Sequence, residues 1–134
     1  MGKLVSIFPD LIEGQSKIHG KGVFAGKQFN SGDEILEVPS ERIGLLNHSC
    51  DPSAAFVFTD GRTTLKAIRP VKPMMEITVD YTLTATEDPR LVCSCGTGRC
   101  RKAIGLYSTL PAAARERYEW MKIVPDYVVA STMA

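Results

Sequence analysis

The chain has 134 residues and a mass of 14.7 kDa, near the commonest size of a single domain. Hydrophobic residues make up 44%, enough for one packed core and too many for a disordered chain. Sixteen Lys and Arg against fifteen Asp and Glu leave a net charge of +1, which does not by itself argue for nucleic acid, and no apolar run is long enough for a transmembrane helix. The opening MGKLVSIFPD carries an apolar stretch too short, and too soon broken by Pro9 and Asp10, for a secretion signal. An intracellular protein, cytoplasmic or nuclear, is expected, with no membrane and no direct nucleic-acid binding. Gly2 with Ser6 has the spacing of a myristoylation motif, but an ordinary first strand is the simpler reading.

Runs rich in β-branched and aromatic residues alternate with turn clusters. They predict strands from Lys3 to Phe8, Gly22 to Ala25, Glu34 to Val38, Ala54 to Phe58, Thr63 to Ile68 and Glu76 to Tyr81. Asp60-Gly61 between two such runs is a hairpin signal. The gaps leave no room for crossover helices, so several small, mostly antiparallel sheets are expected rather than a doubly wound parallel sheet. One helix is predicted over 108–124. Ser108 or Thr109 can cap it and Pro111 suits its first turn. Leu110, Ala114, Tyr118 and Met121 form its apolar stripe, and Pro125 stops it.

Three of the four cysteines lie in Cys93-Ser-Cys95-Gly-Thr-Gly-Arg-Cys100, and the fourth, Cys50, is far away in sequence. Disulfides are awkward, because adjacent Cys-x-Cys sulfurs cannot easily meet and no secretion signal accompanies them. Four unrelated buried thiols would rarely cluster this way. A structural zinc fits better, although the Cys-x-Cys step is tighter than the usual ligand spacing. Gly96 and Gly98 let the backbone fold around an ion. Arg99, Arg101 and Lys102 would offset the net negative charge of four thiolates on a dication.

Motifs in a particular order accompany that tail. They are His19-Gly20-Lys21-Gly22-Val23-Phe24-Ala25, Gly32-Asp33-Glu34-Ile35-Leu36-Glu37, Asn47-His48-Ser49-Cys50-Asp51-Pro52 and Glu76-Ile77-Thr78-Val79-Asp80-Tyr81. From about Ser16 to about Gly105 the sequence resembles the SET-domain lysine methyltransferase family with a cysteine-rich post-SET zinc tail. The resemblance implies a mainly β, SET-type β-clip fold of small antiparallel sheets with a pseudoknot, to which the C-terminal α-helix predicted above is added. One domain, 1–134, is expected, made of a SET core (about 16–82), a post-SET tail (90–105) and that helix.

The activity implied is S-adenosylmethionine-dependent methyl transfer to a lysine ε-amine of a protein or to another amine, including a small molecule. The alternative is a catalytically silent SET-like module that binds S-adenosylmethionine and zinc in a regulatory role. The resemblance gives His19, Gly20, Lys21, Gly22, Asn47, His48 and Tyr81 to the cofactor, and Cys50, Cys93, Cys95 and Cys100 to one structural zinc. His48 would offer mainly backbone atoms; a ligand or general-base role for its ring is the lesser reading. Tyr81 is the expected catalytic residue, a phenol at a strand end that aligns amine and methyl group. Tyr107 is the next hydroxyl to consider.

Two departures stand out. Ser53 follows the signature proline where the family usually has Asn. Only Pro39 to Leu46 occupy the place of an insert of some tens of residues that forms one wall of the substrate groove. A missing wall should leave apolar surface. Ile43, Leu45 and Leu46 are the candidates for it, and a homodimer is the simplest cover.

Overall fold

Short strands dominate the computed structural model, which describes residues 5–8, 10–37, 46–85 and 87–128. In chain order they are β1 (Val5–Phe8), β2 (Leu11–Gln15), β3 (Lys21–Ala25), β4 (Glu34–Glu37), β5 (Asn47–His48), β6 (Ala54–Thr59), β7 (Arg62–Ala67), β8 (Glu76–Val79), β9 (Leu91–Val92) and β10 (Ala103–Ile104). The single α-helix described, α1, is Ala112–Met121. Sheets of order β1-β2-β3-β8-β5, β4-β7-β6 and β10-β9 result. This is the mainly β arrangement of small sheets that the sequence predicts. Every pair is antiparallel except β5 with β8, where Asn47 lies opposite Thr78 and His48 opposite Val79.

The β6–β7 hairpin turns on Asp60 and Gly61, both at positive φ (52° and 76°), as a two-residue turn matched to strand twist requires. The main core lies between the two larger sheets. Leu11, Val23, Ala25, Ile77 and Val79 meet Phe56, Leu65 and Val71, all nearly inaccessible. Each large member contributes about 1.5–3 kcal/mol by leaving water. A second cluster seats α1 through Leu110, Ala114 and Tyr118 on Ala55 and Leu83.

Several boundaries differ from expectation. The helix is shorter than 108–124: Tyr107–Thr109 form a separate 3-10 turn, Thr109 bonds the Leu106 carbonyl instead of capping, and Pro111 itself precedes the first helical residue. Lys122, in the left-handed conformation at φ 59°, ends α1 before Pro125 is reached. The strand expected to reach Tyr81 stops at Val79. Asp80 then caps a 3-10 turn, Tyr81–Leu83, by accepting the Thr82 N–H at 3.0 Å. Strands β2, β5, β9 and β10 went unpredicted, the last three because two residues carry no periodicity.

Ser53 is fully engaged despite replacing the family's Asn. Its Oγ accepts from Thr78 N at 3.0 Å and donates to the Glu76 carbonyl at 3.3 Å, while its N–H reaches Thr78 Oγ1 at 3.2 Å. Leu46 is buried in the main core at 6% exposure, so it is not the apolar surface proposed for a dimer. Ile43, Leu45, Val38 and Gly2 lie outside the described residues.

Candidate functional site

Ser16 opens a turn that returns to β3. Its Oγ accepts the N–H groups of Ile18 (2.9 Å) and His19 (3.3 Å) and donates to both oxygens of Glu76 on β8, at 2.8 and 2.9 Å. Buried Asn47 on β5 faces the same place. Its Nδ2 donates to the carbonyls of His19 (3.0 Å) and Lys21 (3.1 Å) and to Glu76 Oε2 (2.8 Å). Two amide hydrogens thus serve three acceptors, and the turn, β5 and β8 are tied at one point. A Cβ on Gly22 would stand 2.3 Å from Glu76 Oε2 and 3.1 Å from Asn47 Nδ2, so this network is what requires a glycine there.

Beside the network lies a cleft of about 470 Å³, within the size range of small-molecule sites. Ile18, His19, Lys21, Asn47, His48 and Tyr81 line one side of it; Leu91, Val92, Cys93, Ser94 and Ile104 line the other. Of the predicted cofactor residues, His19, Lys21, Asn47, His48 and Tyr81 therefore converge. Gly20, at φ 46°, and Gly22 are not among the lining residues.

His48 is 4% exposed. Its Nδ1 accepts the Tyr81 N–H at 3.0 Å, so Nε2 carries the proton, and Nε2 lies 3.4 Å from Cys50 Sγ. Burial pulls its pKa down to about 4; nearby Asp80 opposes that and Arg101 adds to it. A neutral ring with both nitrogens engaged leaves no free ring nitrogen for a metal or a proton-abstracting role.

Tyr81 is half-buried. Its hydroxyl donates to the Leu46 carbonyl at 2.5 Å, and its ring centroid lies 5.2 Å from that of His48. Burial, helped by Glu76, raises its pKa, so the phenol is neutral at physiological pH. Tyr107 is elsewhere: its hydroxyl donates to Glu119 at 2.8 Å under α1, and burial with that carboxylate pushes its pKa up to about 12. It is not a second hydroxyl at the cleft.

The four cysteine sulfurs lie within 4.8 Å of one another. Cys50 and Cys93 are 3.5 Å apart, far beyond an S–S bond, and all four are free thiols. A tetrahedral zinc with bonds of about 2.3 Å separates its sulfurs by roughly 3.8 Å, so this donor set fits that ion. Burial raises the Cys50 and Cys93 thiols; at Cys95 burial is outweighed by hydrogen bonds, chiefly from Thr97, and the pKa falls to about 6. The Arg101 N–H donates to Cys50 Sγ at 3.3 Å.

One feature of the site had only a faint sequence signal. Asp80, 1% exposed, receives Tyr118 Oη on Oδ2 (2.7 Å) and Arg101 Nη2 on Oδ1 (3.0 Å), besides Thr82 N. Arg101 also bonds Thr82 Oγ1 at 3.2 Å. Asp80 stands next to Tyr81 in a quoted motif, but nothing in the sequence points from it to Tyr118 or Arg101. Ser16 and Glu76 were likewise missed as partners of Asn47.

Residues 39–82 match the family model described as SET domain. Among curated proteins, "Histone-lysine N-methyltransferase TRX1" of Oryza sativa subsp. japonica is 27% identical over 136 residues, covering 68% of this chain and 13% of that protein. "Histone-lysine N-methyltransferase trithorax" of Drosophila virilis is 24% identical over 131, covering 66% of this chain and 3% of that protein. The chain spans about an eighth of the rice relative's length and less of the fly's. The 136 aligned positions take up only about 91 residues of this chain, so about 45 positions face no residue of it. The crystal structure of KRYPTONITE in complex with mCHG DNA and SAH shares the fold at a TM-score of 0.51 and 22% identity, covering 67% of this chain and 28% of that one. Residues 39–82 are thus similar to a SET-domain sequence, and the small sheets around them share the fold of the KRYPTONITE structure.

Proposed function

We propose that the chain is an S-adenosylmethionine-dependent methyltransferase acting on a lysine ε-amine, and that its four thiols hold one structural zinc. The convergence of His19, Lys21, Asn47, His48 and Tyr81 on one cleft, against the four-sulfur cluster, is the observation that carries this reading. A second structure of the KRYPTONITE protein, in complex with mCHH DNA, an H3(1-15) peptide and SAH, supports it.

When bound, S-adenosylmethionine supplies a methyl group on a sulfonium for in-line attack by a neutral amine, and S-adenosylhomocysteine and a proton leave. The residues' tasks follow from their contacts. Asn47 holds the His19 and Lys21 carbonyls in place, leaving their second lone pairs for the cofactor's ammonium end. On the other side of the cleft Leu91 and Val92 present exposed apolar side chains that a bound ligand would cover, and Ile104 is already buried. An acceptor lysine is neutral in only about one molecule in a few thousand at pH 7, and an enclosed cleft raises that fraction by desolvation. Tyr81 gives its hydroxyl proton to the Leu46 carbonyl, which leaves its oxygen as an acceptor for an incoming amine. The four thiolates would fasten the 91–104 segment beside Cys50.

The aligned positions of the relatives that have no counterpart here favour a second reading, a silent module that binds cofactor without transfer. Labelled S-adenosylmethionine, offered with histones, a lysate and a metabolite extract in parallel, decides between the two. Label on a protein lysine is the expected result, and a histone acceptor would place the chain in the nucleus. Cofactor binding without label in any pool supports the silent module; no cofactor binding at all overturns both.

A further inference from the structure

Residues 91–104 form an arm that supplies five of the cleft's lining residues: Leu91, Val92, Cys93, Ser94 and Ile104. Among the described residues, its two strands pair only with each other. Among the described residues, every polar contact from this arm to the rest of the protein ends on Cys50, Asp80 or Thr82. The arm therefore has two fastenings. One is the sulfur cluster. The other is the Arg101 guanidinium on the Asp80 carboxylate, the one ion pair between the arm and the body among the described residues.

Asp80 is almost fully buried, and its two oxygens are divided between tasks. Oδ1 takes Arg101 and the Thr82 N–H; Oδ2 takes the Tyr118 hydroxyl from the middle of α1. Without the Tyr118 hydroxyl, Oδ2 would be a buried carboxylate oxygen with no donor and the group would be held through Oδ1 alone, so the precision of its hold on Arg101 depends on Tyr118. Asp80 also caps the turn that starts with Tyr81, so the same carboxylate orients the cleft's phenol.

We infer that Tyr118 and Arg101 are positioning residues: through Asp80 they latch the 91–104 arm over the cleft, apart from the metal cluster, so that the C-terminal helix sets how tightly the cleft closes. The ligand side of this inference rests on the proposed cofactor reading.

The test compares zinc-loaded wild-type protein with Tyr118→Phe and Arg101→Leu. Tyr118→Phe keeps the packed ring and removes only the hydroxyl. Amide hydrogen exchange is followed in the arm and, as an internal reference, in the β6–β7 hairpin, alongside the dissociation rate of S-adenosylhomocysteine. In Tyr118→Phe, exchange in the arm rises about threefold to tenfold, less than the full weight of a hydrogen bond to a carboxylate because Oδ1 keeps its own donors. The hairpin stays unchanged, and S-adenosylhomocysteine leaves faster by a similar factor. Arg101→Leu does the same more strongly, and the double variant adds little to it, because both act through one carboxylate. Arm exchange that is unchanged, or that rises only together with the hairpin, overturns the latch. So does a loosened arm with unaltered ligand dissociation. A wild-type protein that binds no S-adenosylhomocysteine while its variants show the loosened arm refutes the cofactor reading and leaves the latch standing. Should Arg101→Leu fail to fold, Tyr118→Phe decides alone.

Discussion

Replacing Gly22 by alanine tests whether the Asn47–Glu76 contact organises the cleft. The new methyl would sit 2.3 Å from Glu76 Oε2 and 2.9 Å from its Cδ, so the carboxylate must retreat by about an ångström to reach ordinary contact. Ser16 can follow through Oε1, but the 2.8 Å bond from Asn47 to Oε2 is lost. A hydrogen bond to a charged group contributes about 1.5–3 kcal/mol, and alanine recovers about 0.5–1 kcal/mol over glycine in a strand. The net cost is therefore about 1–2 kcal/mol, read as a lower urea midpoint with unchanged slope. In a Glu76→Ala background the obstacle is gone. Only Asn47 Nδ2, at 3.1 Å, remains close, and it has lost the partner that pinned it. There Gly22→Ala should be neutral or slightly stabilising, which makes the coupling energy of the cycle about 1.5–3 kcal/mol. Calorimetry with S-adenosylhomocysteine should show weaker binding in Gly22→Ala, since Asn47 positions the His19 and Lys21 carbonyls. An equal cost of Gly22→Ala in both backgrounds refutes the reasoning, because the glycine would then serve the backbone and not the carboxylate.

Other outcomes follow from the same contacts. Protein prepared without chelator should carry one zinc per chain by elemental analysis, and Cys95→Ser should lose it and weaken S-adenosylhomocysteine binding, because the arm's sulfur fastening goes with it. Tyr81→Phe should lower the transfer rate by on the order of a hundredfold with S-adenosylhomocysteine affinity nearly unchanged, since the ring stays and one positioned hydroxyl goes; wild-type turnover would make Tyr81 a packing residue. Tyr107→Phe should leave that rate unaltered, its hydroxyl being committed to Glu119. All four tyrosines have raised pKa values, burial being the first cause in each, and Tyr107 reaches about 12. A phenol whose folded pKa exceeds its unfolded one stabilises fully below the unfolded value near pH 10 and loses that contribution as pH rises toward the folded value. Tyrosinate absorbance near 295 nm should therefore stay low in native protein at pH 10 and jump on unfolding; a native titration centred at 10 would contradict the burial of these rings.

What the sequence made legible was local. Asp60-Gly61 dictated its hairpin because two consecutive positive φ values are costly for most other residue pairs. The tight cysteine spacing favoured a shared ion over disulfides and the resemblance added Cys50 to it, and the four sulfurs do lie together. The ordered motifs placed Asn47, His48 and Tyr81 together for the same kind of reason: each sits in a short, chemically unusual string. Strands of two residues and the exact start of α1 were not legible, since their geometry is set by the partner strand and by the cap rather than by a period.

The polar junctions were illegible for a different reason. Ser16, Asn47 and Glu76 are separated by about thirty residues at each step, and Asp80 meets residues 21 and 38 positions away. Serine, glutamate and tyrosine are common on any surface, so no single position advertises such a partnership. Burial creates it. A carboxylate that is 1% exposed must find donors wherever the fold brings them, and the fold brings one from the helix and one from the arm. The consequence concerns how the molecule is divided. Motif by motif, the chain reads as a core, a metal-binding tail and a covering helix. Through Asp80 those three are one mechanical unit, and the helix, which contributes no residue to the cleft, shares in holding its wall.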